Sequence, residues 1–333
     1  MDAHGGDHAP LEIVKGAALA AKEFDATLVL CGREAEIRAA AKEAGVSLDG
    51  MEIAPAEDVI GMEDDPVSIL KEHAECSMAR GLKMVAEGQG DAFLSAGSTG
   101  ALVVGSRFFV KNMPGIKRAA LAPILPSACG RYILADAGAN VECRPDFLVK
   151  FAIMGSAYMS GILGVENPRV GLLCNGTEEG KGNKLTQEAY ELLKAAPIHF
   201  VGNLEAREAP LGGCDVLVTD GFTGNIFLKL SEGMGKMVSN GLKTALKKNP
   251  VRLLGAALIS GGLKEFKKSL DYKETGGAPL LGLRCPVIKA HGSSDAKAIY
   301  NAVRQAVHFV RNDVNGRIET MLQQTEQQEK EKE

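Results

Sequence analysis

The stretch "RVGLLCNGTEEGKGNKLTQEAYELLKAA", Arg169 to Ala196, contains the unit from which the chain is built. "RVGLLCN" is a short apolar strand. A loop follows in which Gly176, Gly180 and Gly182 alternate with Glu178, Glu179 and Lys181. Beyond it Leu185, Ala189, Leu192, Leu193 and Ala196 recur at helical spacing and form one apolar stripe. Strand, small-residue loop and helix then repeat along the sequence. "DAFLS" leads into "AGSTG" and a helix from Ala101. "RYILA" leads into "DAGAN", ending at Asn140, and Pro145 opens the next helix. "CDVLVT" leads into "DGFTGN", and "CPVIKA" leads into "HGSSD" and the helix "AKAIYNAVRQAVHFV". Nearer the start, "ATLVLCG" precedes "REAEIRAAAKEAG".

Strands alternating with helices predict an α/β fold with a mostly parallel sheet covered on both faces. Ligands of such sheets bind beyond the carboxyl ends of the strands, so these loops are expected to converge on one cleft. At 333 residues the chain suits one large unit over 1–318, as one domain or two lobes around a central cleft, followed by a polar, frayed tail over 319–333. "DAHGGDHAP" reads as a further strand-end loop, yet only Met1 precedes it.

Composition narrows the function. The net charge is -4, Trp is absent and aromatics make up 5%, which argues against nucleic acid. The 7 cysteines are scattered without a C-x-x-C pair, as expected of reduced thiols in a cytoplasm. No signal peptide is read at the start, and no unbroken apolar run approaches the ~18 residues of a membrane span.

The glycine loop after "RVGLLCN" is not a nucleotide P-loop. Gly182 follows Lys181 where that motif needs Ser or Thr to hold magnesium, and Glu178 and Glu179 would repel a triphosphate. A backbone cradle and one lysine at a helix N-terminus remain. They suit a small anion or a developing oxyanion, or else form a tight turn with a solvated lysine. "SAGSTGA" offers Ser95, Ser98 and Thr99 either as an anion nest or as helix caps. In "TDGFTGN", Asn225 either caps a helix or aims its amide at a substrate oxygen. His291, Ser293, Ser294 and Asp295 could form a Ser–His pair, but no G-x-S-x-G elbow is present, so an anion-contacting loop or a helix cap fits better. His4, Asp7 and His8 lie in a glycine loop with no second cluster, so no metal is expected. The G-x-G-x-x-G dinucleotide fingerprint is missing, and no cofactor is expected. "VRLLGAALISGGLKEFKKSL", with Arg252, Lys264, Lys267 and Lys268, reads either as a membrane- or subunit-facing tip over Leu253–Leu270 or as a core helix with solvated lysines.

In order and spacing, "DAHGGDHAP", "SAGSTGA", "GTEEGKGN", "FVGNLEARE", "TDGFTGN", "GGAPLLG" and "HGSSDAKAI" together resemble the PlsX-type phosphate acyltransferases of bacterial phospholipid synthesis, over nearly the whole chain up to about Val310. The chain departs from the family in carrying His4 where methionine is usual, and Cys174–Asn175 where Asn–Ile is usual. The resemblance implies an isocitrate/isopropylmalate-dehydrogenase-like three-layer α/β/α fold. It implies transfer of a long-chain acyl group from acyl-[acyl-carrier-protein] to inorganic phosphate, with the product passing to a membrane glycerol-3-phosphate acyltransferase. It also implies a homodimer, cytoplasmic and peripherally associated with the inner face of the cell membrane. Phosphate is already a nucleophile, so such an enzyme needs only to hold a dianion beside a thioester and stabilise the oxyanion. The expected catalytic residues are Lys181 and Asn225. The expected substrate- and phosphate-binding residues begin with Asp2, Gly5, Gly6 and Asp7, then Ser95, Gly97, Ser98, Thr99, Gly100 and Asn140. They continue with Gly176, Glu178, Gly180, Gly182 and Asn183, then Asp220, Gly221, Thr223 and Gly224, and end with His291, Gly292, Ser293 and Ser294. The competing readings are a phosphotransacetylase-like enzyme using acyl-coenzyme A, a dehydrogenase of related fold, and a non-catalytic carrier- or lipid-binding protein.

Overall fold

The structure is a computed structural model that describes residues 1–270 and 276–332. Its first half runs α1 (Leu11–Ala21), β1 (Leu28–Gly32), α2 (Glu34–Ala44), β2 (Met51–Pro55), α3 (Ser77–Ala86), β3 (Phe93–Ser95), α4 (Thr99–Gly105), β4 (Ala120–Leu121), β5 (Ile124–Ser127), β6 (Gly130–Ala135) and α5 (Pro145–Leu163). Its second half runs β7 (Arg169–Cys174), α6 (Lys184–Ala195), β8 (His199–Glu205), β9 (Val216–Val218), α7 (Gly221–Leu246), α8 (Pro250–Leu258), α9 (Ser260–Leu270), β10 (Ala278–Leu281), β11 (Val287–Lys289), α10 (Ala296–Arg311) and α11 (Val314–Lys332).

The strands form parallel pairs wherever a helix crosses between them. β1 pairs with β2, β3 with β11, β6 with β9, and β7 with both β9 and β8. Antiparallel pairing is confined to β10, which joins β11 to β4, and to β5 against β6. The start of the chain completes this arrangement. Cys31 N–H donates to Met1 O, Ala3 N–H to Cys31 O and Asp2 N–H to Leu94 O, so Met1–Ala3 runs as a single extended rung between β1 and β3. Met1–Ala3 thus occupies the strand position that "DAHGGDHAP" needed.

Among the described residues the strands fall into three hydrogen-bonded groups, β1-β2, β3-β11-β10-β4 and β5-β6-β9-β7-β8, with helices packed on both sides of them. On one face α1, α2, α5, α6, α10 and α11 share one continuous apolar core with the strands. On the other face the core is divided. One cluster lies under α3 and α4, and a second joins Leu125, Leu134 and Leu217 to Phe227 of α7. The gap between these two clusters is the cleft. Pro145–Leu163 is long and apolar enough to cross a membrane, a property that counting unbroken apolar runs overlooked. Here it is a core helix with Leu148, Phe151, Ile153 and Met154 buried. In α6, Ala189 and Leu193 are buried with Tyr190, while Leu192, at the edge of the expected stripe, is 45% exposed. Residues 319–332, expected as a polar tail, continue helix α11, with Leu322 and Thr325 buried.

Candidate active site

Asp2 is the knot of the N-terminal loop. It is buried, and its carboxylate accepts from Ser77 Oγ at 2.7 Å, Ser95 Oγ at 2.6 Å and the His4 amide at 3.1 Å. Ser95 Oγ in turn accepts from Gly97 N–H at 3.0 Å. A Cβ on Gly5 would lie 2.5 Å from Asp2 Oδ2 and 2.6 Å from Gly97 N, so only glycine lets these loops meet. Asp2, Gly5, Ser95 and Gly97 therefore hold the floor of the cleft together. His4 belongs to the same packing: its Nε2 accepts from Arg33 N–H at 3.0 Å, and burial lowers its pKa. Ser98 Oγ caps α4 by accepting from Ala101 N–H at 3.4 Å, which leaves Thr99 and Gly100 at the cavity wall.

A second knot lies at the end of β6. The Asp136 carboxylate is fully buried and accepts from the amides of Leu121, Gly138, Ala139 and Asn140 and from Asn140 Nδ2 at 2.9 Å. Burial pushes its pKa up, although these bonds favour the carboxylate. The first turn of α7 is pressed onto this loop. A Cβ on Gly224 would sit 1.9 Å from Asp136 O, and one on Gly221 would sit 2.5 Å from Asn140 O. Asp220 caps α7, accepting from Thr223 N–H and Thr223 Oγ1, both at 2.8 Å. The cap and the glycines place Asn225 one turn into the helix, with its side chain beside Gly138. Among the described residues the Asn225 amide has no hydrogen-bond partner. It lines the cavity, and the cap of α7 is Asp220.

These knots enclose a cavity of about 710 Å³. Asp7, Thr99, Gly100, Asn225, His291 and Gly292 line it, drawing residues from four separate sequence loops onto one cleft. Its apolar wall is Val103 and Val104 of α4, Leu121, Ile124 and Leu125 from the sheet, and Leu228 of α7. His291 Nδ1 accepts from Ser293 N–H at 3.1 Å, so in the neutral ring the proton is on Nε2. Burial lowers the His291 pKa, as do Lys229, Lys289 and Lys236. Ser293 Oγ lies 2.9 Å from the same Nδ1, which makes Ser293 a partner of the ring and gives no sign of an activated nucleophile. Gly6 N-terminal to Asp7 packs on Gly292 O, and Ser294 is buried beneath the loop.

Sequence reasoning missed Lys289. It ends β11 inside the apolar run "CPVIKA", which read simply as a buried strand. Its side chain is 8% exposed and lines the cavity. Nζ donates to Ala96 O at 3.3 Å and to Ala290 O. Among the described residues no carboxylate lies within 4.0 Å of it. Burial lowers its pKa to about 8. A lysine interrupting an otherwise apolar strand just before a histidine-containing loop was the available signal. Lys229, paired with Glu232 at 3.0 Å, adds a second cation at the wall.

The loop that opened the sequence reading lies elsewhere. It follows β7, the neighbour of β9, so it sits at the same sheet edge as Asp220–Asn225. None of Gly176, Glu178, Gly180, Lys181, Gly182 and Asn183 lines the cavity. The loop is held from behind. Glu179 accepts from Tyr190 Oη at 3.0 Å and Lys194 Nζ at 3.1 Å, Asn203 Nδ2 donates to Glu178 O, and Asn183 caps α6. Lys181 projects into solvent with no ion pair among the described residues.

The comparisons with known proteins give the family and the fold. A family model described as "fatty acid synthesis protein" matches residues 1–317. Over 323 residues the chain is 45% identical to the phosphate acyltransferase of Thermoanaerobacterium thermosaccharolyticum, covering 97% of this chain and 96% of that one. The chain belongs to the PlsX-type phosphate acyltransferases. Over 314 residues it is 47% identical to the phosphate acyltransferase of Alkaliphilus oremlandii, 94% of each chain. It is an acyltransferase enzyme, and it carries an acyl group to phosphate. Among solved structures it is similar to a phosphotransacetylase from Streptococcus pyogenes, with a TM-score of 0.63 over 92% of this chain and 91% of that one. At 19% identity that likeness is one of fold, and it bears out the three-layer α/β/α architecture with a parallel-rich sheet.

Proposed function

We propose that the acyl donor is a long-chain acyl-[acyl-carrier-protein] and that the reaction occurs in the cavity between α4 and α7. The observation that carries this reading is a buried, unpaired ammonium, Lys289, beside an apolar wall and an unpartnered amide, Asn225. A buried cation without a counter-ion is costly unless an anion arrives to neutralise it. Phosphate meets that need, and the apolar wall receives the first carbons of an acyl chain. A phosphate oxygen attacks the thioester carbonyl, and the carbonyl electrons move onto its oxygen. Asn225 Nδ2 donates to that oxyanion. As it collapses, the C–S bond breaks and the sulfur leaves with the electron pair; the thiolate takes up, through solvent, the proton that hydrogen phosphate gives up, while His291 Nε2–H donates a hydrogen bond to the departing sulfur. The products are acyl phosphate and the free carrier thiol. Lys181, one strand over on a solvated loop, supplies positive charge that draws anions toward the cleft.

The α7 surface supports a homodimer. Phe222, Ile226, Leu230, Met234 and Met237 follow each other at helical spacing and are all exposed, Leu230 to 64%. A face of this kind on a long helix is normally covered. Beyond it, Val251 at 79% and Leu258 at 81% exposure support peripheral contact with the cytoplasmic membrane face, whereas the side chain of Leu254 lies outside the described residues. In this reading the acyl phosphate is released beside the membrane, to a glycerol-3-phosphate acyltransferase.

The test is thiol release from long-chain acyl-carrier protein with and without phosphate. Release only with phosphate supports the reading. Equal release without it indicates a thioesterase, and activity restricted to acyl-coenzyme A indicates a phosphotransacetylase. No turnover of any thioester would leave a carrier- or lipid-binding protein.

A further inference from the structure

A second cavity, of about 450 Å³, opens beside the first. The two share Val103 of α4 and Ala139 of the Asp136 loop as a common wall. Arg107, Arg118, Ser106, Asn112 and Asn140 line it, with Glu142 as its one carboxylate among the described residues, so two cations face one anion. Neither arginine has a carboxylate within 4.0 Å among the described residues. Lys111 and Arg284 extend the same basic surface, where Arg284 Nε donates to Asn112 O at 3.3 Å. Two large apolar side chains stand among these cations: Phe108 at 60% and Val141 at 66% exposure. Ser106 Oγ and Asn112 Oδ1 are buried within its wall.

The reaction cavity is the size of a small-molecule site and cannot admit a protein. If the donor is carrier-borne, as proposed above, the carrier must rest outside and pass its thioester inward on a linear arm. We infer that the Arg107–Arg118 cavity is the docking port for an acidic carrier protein and the passage for its phosphopantetheine arm. The inference rests on that reading of the donor. Each part has a counterpart in the surface. Arg107 and Arg118 face the phosphodiester at the root of the arm and the acidic helices that flank it. Phe108 and Val141 supply the apolar contact between the charges. The shared wall at Val103 and Ala139 then brings the thioester end to Asn225 and Lys289.

The test uses the full chain with Arg107→Glu and Arg118→Glu combined. KM for acyl-carrier protein is expected to rise by about tenfold or more while kcat holds, since rim charges act on encounter. With acyl-N-acetylcysteamine, a donor lacking both carrier and phosphodiester, the penalty should be several-fold smaller. Added salt should raise the wild-type KM for the carrier-borne donor and leave the variant's nearly flat. Lys22→Glu with Lys42→Glu makes the same charge change on exposed positions of the α1–α2 side and should leave KM near wild type. An unchanged KM in a variant that melts like wild type overturns the port, provided the wild type releases thiol from acyl-carrier protein. If the wild type does not, it is the donor assignment that fails. Loss of binding to anionic vesicles at constant KM would make the surface a membrane face, and a shift in oligomeric mass would make it a contact between copies. Either result overturns the proposal.

Discussion

Lys181 and Lys289 both lie at the carboxyl ends of strands, β7 and β11, and they differ in almost everything else. Lys181 sits in a glycine-rich loop that a sequence reader stops at, and it is exposed. Lys289 is hidden in an apolar strand and is 8% exposed at the cavity wall. A solvated ammonium is screened and acts at a distance on many anions, whereas a buried one without a partner is poised for a single ligand. Visibility in sequence and placement at the site are therefore separate properties. The glycine loop is conspicuous because its own backbone needs it, while the strand lysine becomes notable only once its neighbours are known.

The largest effect expected from this contrast is at Lys289. Lys289→Met should lower kcat/KM for phosphate by about 10²–10³. The wild-type kcat/KM should also fall as pH rises through about 8, where the ammonium is lost, and the variant should show no such fall. Stability should move the other way. Because burial depresses this pKa, the charged form costs the fold below about pH 8, and the cost fades as pH rises toward the ordinary lysine value. At neutral pH Lys289→Met should therefore melt higher than wild type and lose the stabilisation that phosphate gives wild type in a thermal shift. A lower melting temperature with phosphate stabilisation intact would return Lys289 to a packing role.

Asn225→Ala should come next, with a fall of about 10² in kcat and little change in the KM for phosphate, as befits a bond made chiefly to the oxyanion. A change confined to KM would make Asn225 a ground-state contact.

For Lys181→Ala a loss of about tenfold in kcat/KM is expected, shrinking as ionic strength rises, because the exposed charge acts by steering. A salt-independent loss as deep as that of Lys289→Met would break the comparison. It would mean that the 176–183 loop closes on the cavity in the working enzyme.

The smallest effect on chemistry should come from Val251→Glu with Leu258→Glu. Turnover of soluble donor should change by less than about twofold while binding to anionic vesicles is lost. Unchanged vesicle binding would detach this exposed apolar surface from the membrane.

The sequence by itself determined the repeating strand–loop–helix unit, the parallel-rich sheet and the family, because these depend on local periodicity and on turn chemistry that each segment carries within itself. Arg169–Cys174 is a strand, Lys184–Ala195 a helix, and Asn225 follows the strand Val216–Val218 by one loop, all legible from neighbours in the chain. What the tertiary structure alone decided is which loops share a cavity and which polar groups are spent on holding it. Asp2 and Ser95 resemble ligands in sequence, but they are fastened to each other across 93 residues of chain. Gly224 looks like an anion-binding glycine, and it is there because Asp136 O leaves no room for a Cβ. Lys289 was invisible for the same reason. Burial and partnership are set by which strands end up side by side, and that information is spread over contacts too distant in sequence for any short motif to record.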